Sequence, residues 1–275
     1  MHPTIDLDFF ELDVYTALVA LGILAGLLVA YLFLRSRSRR ASAFGAFLDG
    51  ALVALAASWV GARAYHVLTH WEYYAARPEE IAQLGLGGLG IRGGLVLAFL
   101  AVFVYARVRR LSFGHLADAA ALGLSIGQAI GWAGALVQGA NYGVVSDSRI
   151  AMELPDLYGL VQPRFPLQHA EIALFGVLFI GLLWQAAQRR TPGTLFLVYL
   201  LIASAANALL GFQRGDETAY AGPWRVDQIV DVALVFCTLV AWAWQKARPN
   251  PPNPLPLPFR EGGGDRSSAP TPSNG

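Results

Sequence analysis

Seven stretches of this chain are apolar for about 20 residues each, the length that crosses a hydrocarbon core of roughly 30 Å. They cover residues 14–34, 44–68, 87–105, 116–138, 170–187, 193–212 and 226–244. Each is continuously apolar and does not alternate with period two, so each reads as a helix and not as a barrel strand. Composition supports this: of 275 residues, 55% are hydrophobic and 14% charged, against about 25% charged in an ordinary soluble domain. A soluble domain built this way would expose more apolar surface than water tolerates. The expected fold is therefore all-α: a polytopic membrane protein, a bundle of about seven transmembrane helices.

Basic residues orient the bundle, because loops on the cytoplasmic side are enriched in Lys and Arg. Arg35, Arg37, Arg39 and Arg40 follow the first window, and Arg107, Arg109 and Arg110 the third. Arg189 and Arg190 follow the fifth, and Lys246 and Arg248 the seventh. Every odd-numbered exit is basic. This predicts a multi-pass protein of a bacterial inner membrane, its N-terminus outside and its C-terminus in the cytoplasm. Residues 1–13 carry Asp6, Asp8, Glu11 and Asp13 without Lys or Arg. They form an extracytoplasmic arm before a retained helix, since a secretory leader would be positive. Residues 14–245 make the membrane domain. Its long loop, about 141–168, holds Pro155, Pro163 and Pro166 and predicts a small extracytoplasmic cap. Residues 246–275, rich in Pro, Gly and Ser, read as a disordered cytoplasmic tail.

Polar residues inside spanning helices are costly and usually mark a site. Here they collect at one depth, the outer third of the bilayer. Tyr15, Arg63, His66, Arg92, Gln138, Asn141, Tyr142, Gln168, His169, Glu171, Asn207, Gln213, Arg214, Asp227, Gln228 and Asp231 all fall there, while the inner half offers mainly Asp49, Asp118 and Ser125. This pattern predicts a polar chamber open to the outer leaflet. Arg63, Arg92 and Arg214 are candidates to hold a lipid phosphate, because a guanidinium bonds phosphate oxygens bidentately. For Arg63 and Arg214 taken singly, anchoring at the headgroup interface is the other reading. Arg92 is set deeper and followed by Gly93 and Gly94. The glycine-rich stretch 85–94 reads as an unwound segment whose backbone donors could face a phosphate. Gly123, Gly127 and Gly131, at spacing four, predict close helix packing.

Other chemistries find little support. His66, His70, His115 and His169 are scattered and lack ligand spacing, so no metal site is expected. A net charge of +1 gives no basic field for nucleic acid. Cys237 is alone in an apolar run and reads as packing filler.

Several segments resemble the bacterial prolipoprotein diacylglyceryl transferase family. They are Gly61-Ala62-Arg63, Tyr73-Tyr74 with Pro78-Glu79-Glu80-Ile81, Gly87-Gly88-Leu89 with Arg92-Gly93-Gly94-Leu95, and Arg110-Leu111-Ser112-Phe113 with Ala117-Asp118. The stretch Gly131-Trp132-Ala133-Gly134 through Gln138-Gly139-Ala140-Asn141-Tyr142-Gly143 is similar to the family's signature. So are Pro166-Leu167-Gln168-His169-Ala170-Glu171 and Phe212-Gln213-Arg214-Gly215-Asp216-Glu217, with Asp227-Gln228 after it. The resemblance implies transfer of diacylglyceryl from phosphatidylglycerol to a lipobox cysteine of a prolipoprotein, without metal or cofactor. Its partners would be a phosphatidylglycerol-like phospholipid and a prolipoprotein signal segment. It implies catalytic roles for Arg92, Glu171 and Arg214: the arginines hold phosphate, and Glu171 with Gln168 orients the acceptor or takes a proton. Tyr15, Arg63, Gln138, Tyr142, Gly143, Gln168 and Gln228 would bind phospholipid. The chain departs from the family where Trp132, Ala135, Ala140, Arg92, Asn207 and Gly211 replace the family's Arg, Asn, Glu, His, Arg and Glu. A non-catalytic relative that binds lipid or lipoprotein precursor, and a seven-helix transporter or receptor, are the other readings.

Overall fold

The computed structural model describes residues 4–6, 11–37, 43–83, 89–188 and 191–247. Arg39, Arg40, Arg189, Arg190, Arg248, Gly85, Gly87, Gly88 and the tail from residue 248 onward lie outside the described residues, as do residues 1–3 and 7–10 of the N-terminal arm. Among the described residues, seven helices are long and apolar enough to cross a membrane. They are α1 (Val14–Arg37), α2 (Ala43–Thr69), α4 (Ile91–Val108), α5 (Phe113–Gln138), α6 (Leu167–Ala186), α7 (Thr194–Leu210) and α8 (Val226–Ala247). A short helix, α3 (Trp71–Ala75), sits between α2 and α4. The protein is an all-α multi-pass membrane protein.

Lipid solvates the outside of this bundle. On α6, Phe175, Leu178 and Leu182 are 1%, 6% and 1% exposed, whereas Val177, Ile180 and Trp184 are 70%, 66% and 70% exposed. Both stripes are apolar, as a helix buried between protein and acyl chains requires. The inward stripe joins Ala121 and Leu122 of α5 and Leu195, Tyr199 and Ala203 of α7 in one core. Cys237, expected as packing filler, is instead exposed on α8.

Small residues set the closest approaches, since helices in lipid associate through van der Waals packing. A Cβ on Gly26 would lie 2.7 Å from the Gly123 carbonyl oxygen, and one on Gly22 2.7 Å from that of Gly127. The pairing runs in opposite sequence directions, so α1 and α5 are antiparallel. Helices α2 and α4 repeat the device: a Cβ on Gly61 would run into the Gly93 oxygen, and Gly94 abuts Ser58. The described part of the glycine-rich stretch is thus helix packing and not an unwound phosphate cradle. Gly90 leads into α4 with its N–H bonded to the Ala62 oxygen, and Gly93 and Gly94 are helical. At the end bearing the arginine-rich exits, Asp118 of α5 accepts the N–H groups of Gly193 (2.8 Å) and Phe196 (3.1 Å). It caps α7 from another helix and satisfies donors that the first helical turn leaves free.

Three two-stranded antiparallel hairpins decorate the other end: β1 (Thr4–Asp6) with β2 (Glu11–Asp13), β3 (Met152–Pro155) with β4 (Val161–Arg164), and β5 (Tyr220–Ala221) with β6 (Trp224–Arg225). The β3–β4 hairpin is the expected cap, with strand pairing that the sequence did not suggest. Its two prolines argue against a strand unless the strand is an edge, and a free hairpin is all edge. Arg164, 5% exposed, holds it: the guanidinium pairs with Asp156 at 3.0 Å and lies 4.5 Å over the Tyr142 ring.

Gly123→Val should destabilise the detergent-solubilised protein by about 1–3 kcal/mol through overpacking. Gly131→Val, on the same helix but with nothing within 4 Å of its Cβ, should change stability by less than about 0.5 kcal/mol. Thermal unfolding of the two variants side by side is the measurement.

Candidate functional site

The antiparallel run of helices brings seven termini to the hairpin-bearing end: the C-termini of α2, α5 and α7 and the N-termini of α1, α4, α6 and α8. Polar residues that hydropathy alone would reject are tolerated there because they meet one another.

Arg92, in the first turn of α4, faces the first turns of α8. Asp227 and Asp231 lie four apart and therefore on one helix face. Arg92 Nη2 donates to Asp231 Oδ2 at 2.6 Å, Nε contacts both Asp231 oxygens at 3.2 Å, and Nη1 reaches Asp227 Oδ2 at 3.0 Å. Tyr65 of α2 donates its hydroxyl to Asp227 Oδ1 at 2.8 Å. Arg92 thus ties α4 to α8, and Tyr65 joins α2 to the same carboxylate pair.

Arg214 lies just past α7. Its Nη2 and Nε donate to Asp216 at 2.6 and 2.9 Å, and Nη2 also donates to Asn141 Oδ1 at 3.0 Å. Burial opposes its charge, but the Asp216 carboxylate outweighs that and holds the guanidinium above the ordinary arginine range. Arg225 braces the same turn by donating to Asp216 Oδ1 at 3.2 Å and to the Arg214 carbonyl at 3.3 Å. Gly143 pairs with Arg214 as a β-bridge, and a Cβ there would strike the Phe165 oxygen. Gly143 is therefore a spacing requirement of the backbone that carries Arg214.

Glu171 enters from α6, 2% exposed, with Oε2 unpartnered. The charges acting on it are Arg214, Arg92 and Asp231. One turn earlier, Gln168 is 1% exposed; its amide donates to the Ala140 oxygen at 3.1 Å, and its Oε1 accepts nothing. The three residues expected to carry chemistry, Arg92, Glu171 and Arg214, accordingly belong to one electrostatic cluster.

The remaining candidates divide. Tyr142 stacks under Arg164 beside the cluster, and burial pushes its phenol upward. Tyr15 packs against Gly134 at the α1–α5 contact. Gln138, half-buried, is the last residue of α5. Two expectations need correction. Arg63 is 6% exposed and donates to the carbonyl oxygens of Ile81 (2.9 Å), Glu80 (2.6 Å) and Gln83 (3.2 Å). It anchors the segment after α2, so its fork is committed to backbone. Gln228 is a brace between helices: its amide donates to the Ala208 oxygen at 3.1 Å, and its Oε1 accepts the Arg225 N–H. Asp227 and Asp231, placed at this depth but given no role in the sequence reading, are cluster members, as are the Asp216 carboxylate and the Tyr65 hydroxyl, which that reading did not place there. Four-residue spacing of two aspartates in an apolar helix was the available signal.

Fold and site together define a multi-pass membrane protein with a cluster of buried charged groups at one end of its helix bundle. The family model of prolipoprotein diacylglyceryl transferases matches residues 3–244, and the chain belongs to that family. Its relatives include the phosphatidylglycerol–prolipoprotein diacylglyceryl transferase of Bacillus licheniformis, 34% identical over 242 residues, covering 84% of this chain and 87% of the relative. The enzyme of the same name from Geobacillus kaustophilus is 36% identical over 242 residues, covering 85% and 88%. That of Bacillus cytotoxicus is 33% identical over 245 residues, covering 86% and 88%.

Arg92→Met leaves Asp227 and Asp231 without their cation and should cost about 3–5 kcal/mol, since breaking a buried pair strands a charge. Adding Asp227→Asn and Asp231→Leu should recover most of it. A triple variant no more stable than the single one, by thermal unfolding in detergent, would show that the carboxylates are not what Arg92 compensates.

Proposed function

We propose that this protein transfers the diacylglyceryl group of a phosphatidylglycerol-like phospholipid to the lipobox cysteine of a prolipoprotein, at the outer face of a bacterial inner membrane. The observation that carries the reading is the gathering of Arg92, Glu171 and Arg214, from three separate chain segments, into one cluster. The reaction needs charge at fixed places. The cysteine sulfur attacks the glycerol carbon, the bond from that carbon to the phosphate oxygen breaks, and glycerol phosphate leaves. The thiol proton goes to a carboxylate of the cluster. Arg92 and Arg214, each with 14–15% of its side chain exposed, present cationic edges to the departing phosphate, the kind of preorganised stabilisation that dominates such steps. Gln168 and Glu171 orient the group lying against them. The names of the relatives, which specify phosphatidylglycerol and prolipoprotein, support this substrate pair.

Orientation follows from the basic exits. Arg35, Arg37, Arg107, Arg109, Arg110 and Lys246 all lie at the end opposite the hairpins, so the hairpin-bearing end faces outward.

One observation favours a second reading, a relative that holds phospholipid or precursor without turnover. Arg92 and Arg214 are already paired with carboxylates. The places where the resemblance expects charged or polar groups are also filled for packing: Ala135 is 2% exposed, Trp132 joins the core, and a Cβ on Gly211 would lie 2.6 Å from Gln228.

Complementation of a strain depleted of its own transferase, with mass spectrometry of a model lipoprotein peptide, separates the two. Thioether-linked diacylglycerol is expected, with Arg214→Ala slowing its formation about 10²-fold or more. No product from protein shown to be expressed and inserted would leave only the binding reading. For orientation, in a Cys237→Ser background, a cysteine replacing Tyr158 should react with an impermeant maleimide from outside intact spheroplasts. One replacing Arg110 should react only after permeabilisation, and the opposite pattern would invert the topology.

A further inference from the structure

Beneath the charged cluster, α6 carries a groove on its lipid side, with a volume of about 560 Å³. Ala173, Val177, Gly181 and Gln185 recur every fourth residue and so form one stripe of the helix. They make one bank, and Val198 and Ile202 of α7 make the other. Leu178 and Leu182 also line it, and they continue the line of Gln168, Glu171 and Phe175 down α6. Both α6 and α7 pack on α5, in the core that joins Leu122, Phe175 and Tyr199, and the groove opens between them. The bank is open: a Cβ on Gly181 would meet nothing within 4 Å, and Val177 is 70% exposed.

The length and the two ends of the groove select its occupant. From Ala173 to Gln185 the helix rises about 18 Å, starting two residues past Glu171 and stopping one residue short of the end of α6. An acyl chain from the outer leaflet reaches only about half of a roughly 30 Å hydrocarbon core and would leave the inner half of the groove bare. The apolar core of a signal segment has about 7–15 residues, or about 10–22 Å as a helix, which matches. Bare Gly181 in the bank lets another helix approach closely. We propose that this groove seats the apolar signal helix of the prolipoprotein, antiparallel to α6. Its outer end, where the lipobox cysteine follows, then stands level with Glu171. Its positively charged leader stands beside Gln185, whose Oε1 accepts no hydrogen bond. The inference rests on the reading above that the protein takes a prolipoprotein substrate, and it names the surface that receives it.

Photo-crosslinking tests the seat without depending on turnover. The full chain, with benzoylphenylalanine in place of Val177, is reconstituted in phosphatidylglycerol nanodiscs. It is irradiated with a model precursor that carries a basic leader, an apolar core of about 12 residues and a lipobox. The precursor should be captured through its apolar core. The same group in place of Phe236, 68% exposed on α8, should capture about a tenth as much. Gly181→Phe fills the groove and should lower capture at position 177 about tenfold. Gly176→Phe, whose Cβ is equally open but off the groove, should leave it unchanged. Capture of phospholipid alone assigns the groove to an acyl chain, and capture of a second copy of this chain assigns it to self-association; either overturns the seat, as does equal capture at the two positions. Precursor absent from position 177 overturns the seat whether or not product forms, and product in that case keeps the transferase reading. Precursor captured without product upholds the seat and favours the binding reading. Should Gly181→Phe not fold, the contrast between positions 177 and 236 still decides.

Discussion

A guanidinium placed within a helix bundle that lipid surrounds has few stable options, and the arrangement around Arg92 shows one of them. Its fork lies between two aspartates one turn apart on α8, and one of those is also held by Tyr65 of α2. Separately, each of these groups would be expelled toward water or lose its charge. Together they fix how α2, α4 and α8 meet. They also decide where α4 can begin, and Gly93 and Gly94 allow that start because α2 lies too close for a side chain there. The site is therefore not added to a finished fold. The same contacts that let three helices coexist in lipid also create its charged wall.

A second lattice of bonds carries Arg214. It is made of backbone: Val144 N–H to the Gln213 oxygen, Gly215 N–H to the Tyr142 oxygen and Phe165 N–H to the Val144 oxygen, each at 2.9 Å. These link the end of α7, the turn after α5 and the lead into α6. Asn141 adopts a positive φ of 52° in this turn and offers its side-chain oxygen to Arg214. Asn tolerates that conformation better than most residues. Side-chain chemistry and chain path are coupled here: replacing Asn141 removes both a hydrogen bond and a residue suited to the turn.

The helices were legible from sequence because lipid imposes a simple rule, about 20 apolar residues in succession. Window ends were less so. Helix α6 begins at Leu167 and not at residue 170, since Gln168 lowers the apolar average while facing protein. The hairpins were missed because Pro155 and Pro163 mask strand character, and pairing partners several residues apart leave no periodic trace in such short strands. For the site, depth was readable and partnership was not. Arg92, Glu171 and Arg214 could be placed near one level of the bundle. Sequence alone could not show that Arg63 turns back onto the carbonyls of residues 80, 81 and 83, because backbone acceptors leave no mark in residue types. Nor could it show that Asp118 serves as a cap for α7, a partnership between helices distant in the chain.

The tether of the β3–β4 hairpin has a mechanical corollary. Its Arg164 side chain grips Asp156 and the Tyr142 ring, and Tyr142 adjoins Gly143, whose partner across the bridge is Arg214. The hairpin is consequently no loose awning. Arg164, Tyr142, Gly143 and Arg214 form a continuous path from the hairpin to the charged cluster.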